Sequence, residues 1–159
     1  MVLWFVGGSI VIVWNVFRDP RLDLRLVVVG ALVPDVVDGI LGGARLLHSV
    51  VTAVAVLAGV MFATFGRKPL RRRLLALPIG VLLHLVLDGA FSDTTTFWWP
   101  LTGWSWSGAG LPSLERPVAV AIGLEVLGAL GCWWAWRRFG LADRAVRGRF
   151  LRTGVVEPC

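Results

Sequence analysis

Apolar residues gather in long stretches along this chain, broken by short polar and basic links. Four stretches, 1–17, 46–66, 74–91 and 117–136, approach the span of about 20 residues that a helix needs to cross a hydrocarbon core of about 30 Å. A fifth, 26–43, is as apolar but carries Asp35 and Asp38. The pattern predicts an all-α fold: a polytopic membrane helical bundle of about five transmembrane segments. Residues 1–140 would form the single helical domain and 141–159 a basic cytoplasmic tail. The first stretch lacks the basic start and small-residue cleavage site of a secretion signal, since Phe17-Arg18-Asp19-Pro20 follows it. It reads as a retained span.

Composition strengthens this picture. Of 159 residues, 57% are hydrophobic and only 16% charged, and the mean hydropathy is +0.77, away from soluble proteins on each measure. The apolar stretches leave no room for a separate soluble domain. Cys132 lies inside a stretch and Cys159 is the last residue, which argues against a disulfide framework. Glu157-Pro158-Cys159 does not form a prenylation box.

The net charge of +6 changes the picture through its placement. With five spans, fourteen of the sixteen basic residues fall on one side, leaving Arg45 and Arg116 on the other. The positive-inside rule then places the N-terminus outside and the C-terminus in the cytoplasm of a plasma-membrane protein. Basic residues that flank apolar stretches orient a membrane protein, so nucleic acid is not an expected partner; membrane lipid is. Trp98, Trp99, Trp104 and Trp106 in the outer loop, and Trp133, Trp134 and Trp136 at the inner end of the last span, suit the two interfaces. Loop 92–116 reads as an ordered interfacial cap. No internal repeat is visible, so the inverted halves of many transporters are not expected.

Charge inside apolar stretches is expensive, so Asp35, Asp38, His48, His84 and Asp88 stand out. The direction assigned from Lys and Arg alone brings all five to the extracytoplasmic side. Asp35 and Asp38 are three residues apart and His84 and Asp88 four apart, so each pair shares a helix face. Imidazoles with carboxylates suit a divalent metal ion, zinc or manganese above all. Each residue also has a plainer reading. Asp35, after Pro34, could cap a broken helix, and Asp38 could be only a hydrogen-bond partner for His48. His48 could be interfacial decoration, and His84 with Asp88 a structural pair between helices. Arg45 beside the cluster could bind an anionic group or meet lipid headgroups. Asp93 with Thr94, Thr95 and Thr96 could rim the site or belong to a solvated loop. Glu125 is a mid-span carboxylate in need of a partner. Ser49 adjoins His48 but points about 100° away on a helix, so the two are no nucleophilic dyad. No glycine-rich phosphate loop, CxxC or HExxH is present.

Taken together, Gly30-Ala31-Leu32-Val33-Pro34-Asp35-Val36-Val37-Asp38, Arg45-Leu46-Leu47-His48-Ser49, His84-Leu85-Val86-Leu87-Asp88 and Phe97-Trp98-Trp99-Pro100-Leu101 carry a resemblance. In this order, over roughly residues 26–101, they are similar to the motifs of the membrane-bound metal-dependent hydrolase family related to the bacterial protein YdjM. The resemblance implies a divalent metal held by Asp35, His48, His84 and Asp88, with Asp38 beside them. Two features depart from the family: stretch 1–17 has no histidine, and Ala44-Arg45-Leu46-Leu47-His48 replaces a His-Arg-Gly-x-Thr-His run. The expected function is a membrane-embedded, metal-dependent hydrolase of an ester or phosphoester at the outer leaflet. Its substrate would be a lipid or an anionic small molecule. Asp38 would orient a ligand or act as general base, and Arg45 would neutralise the substrate's charge. The alternatives are a non-catalytic membrane protein with a structural metal or partner-binding site, and a cation transporter.

Overall fold

A computed structural model describes residues 1–41, 43, 46–104 and 116–156. Among these the chain is helical, with no strand: α1 (Val2–Phe17), α2 (Leu24–Ile40), α3 (Val50–Ala63), α4 (Lys68–Leu74), α5 (Ala76–Asp88), a 3-10 turn (Ala90–Ser92), α6 (Thr94–Phe97), α7 (Val118–Arg138) and α8 (Arg144–Thr153).

The all-helical expectation holds, but five transmembrane segments do not. Among the described residues only α7, with 21 residues, is long and apolar enough to cross a membrane. The helices within the other four stretches have 16, 17, 14 and 13 residues, roughly 20–26 Å at 1.5 Å per residue. Side-chain and backbone caps shorten them. Ser49 caps α3 by accepting the Val51 N–H, so residues 46–49 of the third stretch are loop. Gly89, in the left-handed conformation at φ 68°, ends α5 immediately after Asp88. Hydropathy counts the apolar residues of such loops and turns as though they were helix.

Helices α1 and α7 run parallel. The start of α1 meets the middle of α7, where the Leu3 N–H donates to Glu125 at 3.0 Å, and Trp14 near its end packs on Phe139. Helices α2 and α5 also run parallel to each other and opposite to that pair: Val27 and Ala76 share one buried cluster, while Ala31 meets His84 a turn or two further on. Glycines permit these close crossings. A Cβ on Gly30 would overlap the Leu77 carbonyl, and one on Gly80 the Val27 carbonyl; Gly7 and Gly128 meet in the same way between α1 and α7. Backbones that approach this closely are a device of helix packing in lipid, where apolar burial contributes little. Gly80→Val is therefore expected to push α2 and α5 apart, at about 1–3 kcal/mol of overpacking. Thermal unfolding of the purified variant measures this, and an unchanged melting temperature would contradict the packing.

One end of the bundle collects its arginines. Asp23, 1% exposed, caps α2 and pairs with Arg25 at 2.9 Å and Arg73 at 3.1 Å. Burial by itself would raise the Asp23 carboxyl, but the hydrogen bonds from Arg25 and Arg73 outweigh it and hold the group below its ordinary range. Residues 141–156 fold back onto this end: the Leu24 N–H donates to the Gly154 carbonyl at 2.8 Å and Arg25 Nη1 to the Leu151 carbonyl at 2.7 Å. The opposite end carries Asp35, Asp38, His84 and Asp88 at the C-terminal halves of α2 and α5.

Candidate metal centre

Pro34 lies inside α2 and lacks the N–H that would reach back to the preceding turn. The Ala31 carbonyl, one residue beyond the Gly30 carbonyl that Pro34 leaves without its helical donor, accepts from His84 Nδ1 at 2.7 Å. A carbonyl can only accept, so Nδ1 carries the proton and Nε2 presents a lone pair. Phe5 of α1 stacks on the His84 ring with centroids 4.2 Å apart, fixing its plane.

His48 is held in an equivalent way by Asp38. The loop before α3 folds over the end of α2, and the Leu47 and His48 N–H groups donate to the Asp38 carboxylate at 3.1–3.2 Å. His48 Nδ1 meets the same carboxylate at 2.7 Å. Asp38 is fully buried, and an ionised carboxylate only accepts, so His48 also keeps its proton on Nδ1. Of the plain reading and the catalytic one for Asp38, the contacts match the first: it orients His48. A carboxylate behind an imidazole is the common means of fixing a metal-binding tautomer.

The two Nε2 atoms face each other 3.2 Å apart, within hydrogen-bonding distance, so without a metal a single proton on one of them can be shared with the other. Asp35 Oδ1 lies 3.4 Å from His48 Nε2 and 3.5 Å from His84 Nε2. These three atoms can share a proton or, once it is lost, converge on a cation. Ligand atoms at about 2.0–2.2 Å from a tetrahedral zinc stand roughly 3.3–3.6 Å apart, close to the three separations found. Asp35, His48 and His84 are thus near enough to bind one metal ion. Both imidazoles are fully buried and Asp35 is 24% exposed, so access is from the Asp35 side.

Asp88 stands at the margin. Its Oδ2 is 3.7 Å from His48 Nε2, is buried and has no hydrogen-bond partner among the described residues. Its Oδ1 is 3.3 Å from Arg116, which also donates to the Asp88 carbonyl. No hydrogen bond joins Asp88 to His84 among the described residues, so the two do not form the structural pair weighed from their spacing. Asp35 lies inside α2 rather than at a cap.

Among the described residues the remaining candidates separate from the cluster. Arg45 lies outside the described residues. Among the described residues, Arg116, across a long stretch of sequence, is a cation that reaches the site; it and Arg45 are the two basic residues that the sequence sets apart by side, and that placement was its only signal. Ser49 donates to the Trp99 carbonyl and caps α3. Asp93 caps α6, and hydrogen bonds from Thr95 and Thr96 hold its carboxyl below the ordinary range. Glu125 is accounted for by the start of α1, where it accepts the Leu3 N–H. Asp23 had drawn no attention in the sequence, because a buried N-cap looks like any loop aspartate.

No family model, curated protein or solved structure matches this chain.

Proposed function

We propose that the protein is a membrane-lodged, divalent-metal-dependent hydrolase of an ester or phosphoester. The observation that carries this reading is the pair of imidazoles whose Nδ1 atoms are engaged by Ala31 and Asp38, which turns both Nε2 atoms and the Asp35 carboxylate on one point. The donor set fits zinc or manganese. Asp35, His48 and His84 would hold the ion, and Asp88, with its buried unpartnered oxygen, is the fourth ligand. A bound divalent ion supplies Lewis acidity to a phosphoryl or carbonyl oxygen. Asp38 holds the His48 ring in its binding tautomer. Arg116, anchored on Asp88, would neutralise the charge of an anionic substrate, the part also expected of Arg45.

Membrane lodging is supported by the exposed apolar surface. Only 11% of the apolar stretch of α7 is buried inside the protein, and Phe62, Phe65, Ile40 and Val118 are each more than 70% exposed. In water such a surface would be costly. Arg21, Arg25, Arg72 and Arg73 gather at the end away from the metal cluster, so by the positive-inside rule the site end would face out of the cytoplasm in a plasma membrane. A lipid ester is then the nearest substrate class. Burial of both imidazoles also favours a structural metal, and turnover separates the two readings. Purified protein loaded with zinc or manganese is expected to hydrolyse members of a panel of aryl esters, aryl phosphates and phospholipids. A chelator should stop the reaction and added metal restore it. Asp38→Asn should keep its helix content and lose about 10–100-fold in metal affinity or activity. Stoichiometric metal without turnover on any panel member would overturn the hydrolase and leave the structural ion.

A further inference from the structure

The arginine-rich end holds a second concave site that the metal chemistry does not use. A cavity of about 480 Å³ opens between the turn at Arg21 and Asp23, helix α4, and the C-terminal segment at Thr153 and Val155. Four cations line it: Arg21, Lys68, Arg72 and Arg73. Two of them are spoken for. Arg72 pairs with Asp19 at 2.7 Å and Arg73 with Asp23 at 3.1 Å. Among the described residues no carboxylate lies within ion-pair reach of the other two, the Arg21 and Lys68 side chains.

The walls are fixed by contacts of their own. Asp23 is buried beneath Arg25 and Arg73, Gly154 is tied to Leu24, and Arg25 is tied to Leu151. The carboxylates that hold Arg72 and Arg73 restrict both side chains before any ligand arrives. Against four positive charges the lining offers one carboxylate, Asp23, with Asp19 pairing Arg72 from beside it. A concave surface with surplus charge attracts an anion. Guanidinium forks beside an ammonium match the oxygens of a phosphate group better than they match a single carboxylate. The volume falls in the range of ligand pockets, about 300–1,000 Å³, which leaves space for an organic group on the phosphate.

We infer that this cavity binds a phosphomonoester dianion through Arg21 and Lys68, with Arg72 and Arg73 as pre-positioned partners. The phosphate can come from an anionic lipid headgroup beside the protein or from a soluble phosphate compound. The site lies at the opposite end of the bundle from the histidines, so it stands or falls independently of the hydrolase.

The test uses the full chain in phosphatidylcholine nanodiscs. Inorganic phosphate is titrated by calorimetry, and in a second arm phosphatidate is added to the discs and its retention read by native mass spectrometry. Binding of inorganic phosphate supports the site with a soluble source, and retention of phosphatidate alone supports a headgroup. The double variant Arg21→Gln/Lys68→Gln should bind about tenfold to thirtyfold more weakly, since each cation near such a surface contributes about a factor of five. Arg144→Gln/Arg152→Gln on α8 removes the same charge outside the cavity and should change binding less than about threefold. Circular dichroism checks that both variants keep their helices. No binding of either probe would overturn the proposal. So would equal losses in the two double variants, which would reduce the effect to diffuse surface charge.

Discussion

Zinc added to metal-stripped protein is expected to raise its melting temperature by about 8–16 °C at a free concentration a thousandfold above Kd. The figure follows from linkage: an ion that binds only the folded state adds about 4 kcal/mol under those conditions. For a chain of this length each 1 kcal/mol moves the melting temperature by about 2–4 °C. The metal-free cluster brings the two Nε2 atoms within 3.2 Å and the Asp35 carboxylate within 3.5 Å of both, where both rings are sealed from water, so an ion would take the place of a shared proton. His48→Ala and His84→Ala should each abolish the shift and bring the metal content in elemental analysis close to zero. Asp38→Asn, which removes an orienting contact but no ligand, should keep a shift that needs about 10–100-fold more metal. Wild-type protein that carries no stoichiometric metal and shows no shift with zinc or manganese would end the metal-centre reading.

The site was more legible than the architecture around it. Asp35 with Asp38 and His84 with Asp88 share helix faces by spacing alone, and costly polar residues in apolar stretches point to one another. Helix length was misread because hydropathy does not see caps. Leu46 and Leu47 look like the start of a span, yet they form the loop whose N–H groups hold Asp38. Of the roles expected for Asp38, to orient a ligand or to act as base, that loop favours the first by holding its carboxylate against His48. The loop's conformation depends on a contact between residues nine and ten apart, outside the reach of helical periodicity. Arg116 was hidden for a similar reason: its partner Asp88 is 28 residues away. Glu125 looked like a stranded carboxylate because its acceptor role is served by a backbone N–H 122 residues away. Gly30 and Gly80 were unreadable singly, since only the crossing of α2 over α5 gives their missing side chains a purpose.

Asp88 offers the sharpest division between holding an ion and holding the fold. Its Oδ2 is buried with no hydrogen-bond partner among the described residues, while Oδ1 and the backbone carbonyl engage Arg116. An unsatisfied buried carboxylate oxygen costs about 1–3 kcal/mol or more relative to a satisfied group. Asparagine is nearly isosteric and keeps one oxygen for Arg116, so Asp88→Asn removes the buried charge with little change in packing. If the carboxylate is there for a metal, the variant should move two measurements in opposite directions. Metal-stripped Asp88→Asn should unfold at a higher temperature than stripped wild type, by an amount corresponding to about 1–3 kcal/mol. Its metal affinity should fall by more than the loss in Asp38→Asn, because a ligand rather than a support is gone. Arg116→Gln, which spares the carboxylate, should leave the affinity within about tenfold of wild type. A carboxylate kept only to anchor Arg116 gives the other pattern: Asp88→Asn and Arg116→Gln would both destabilise the stripped protein, and neither would change metal binding. Opposed signs in the first variant are hard to produce by packing alone, since a residue retained for stability does not make the empty protein sturdier when it is replaced.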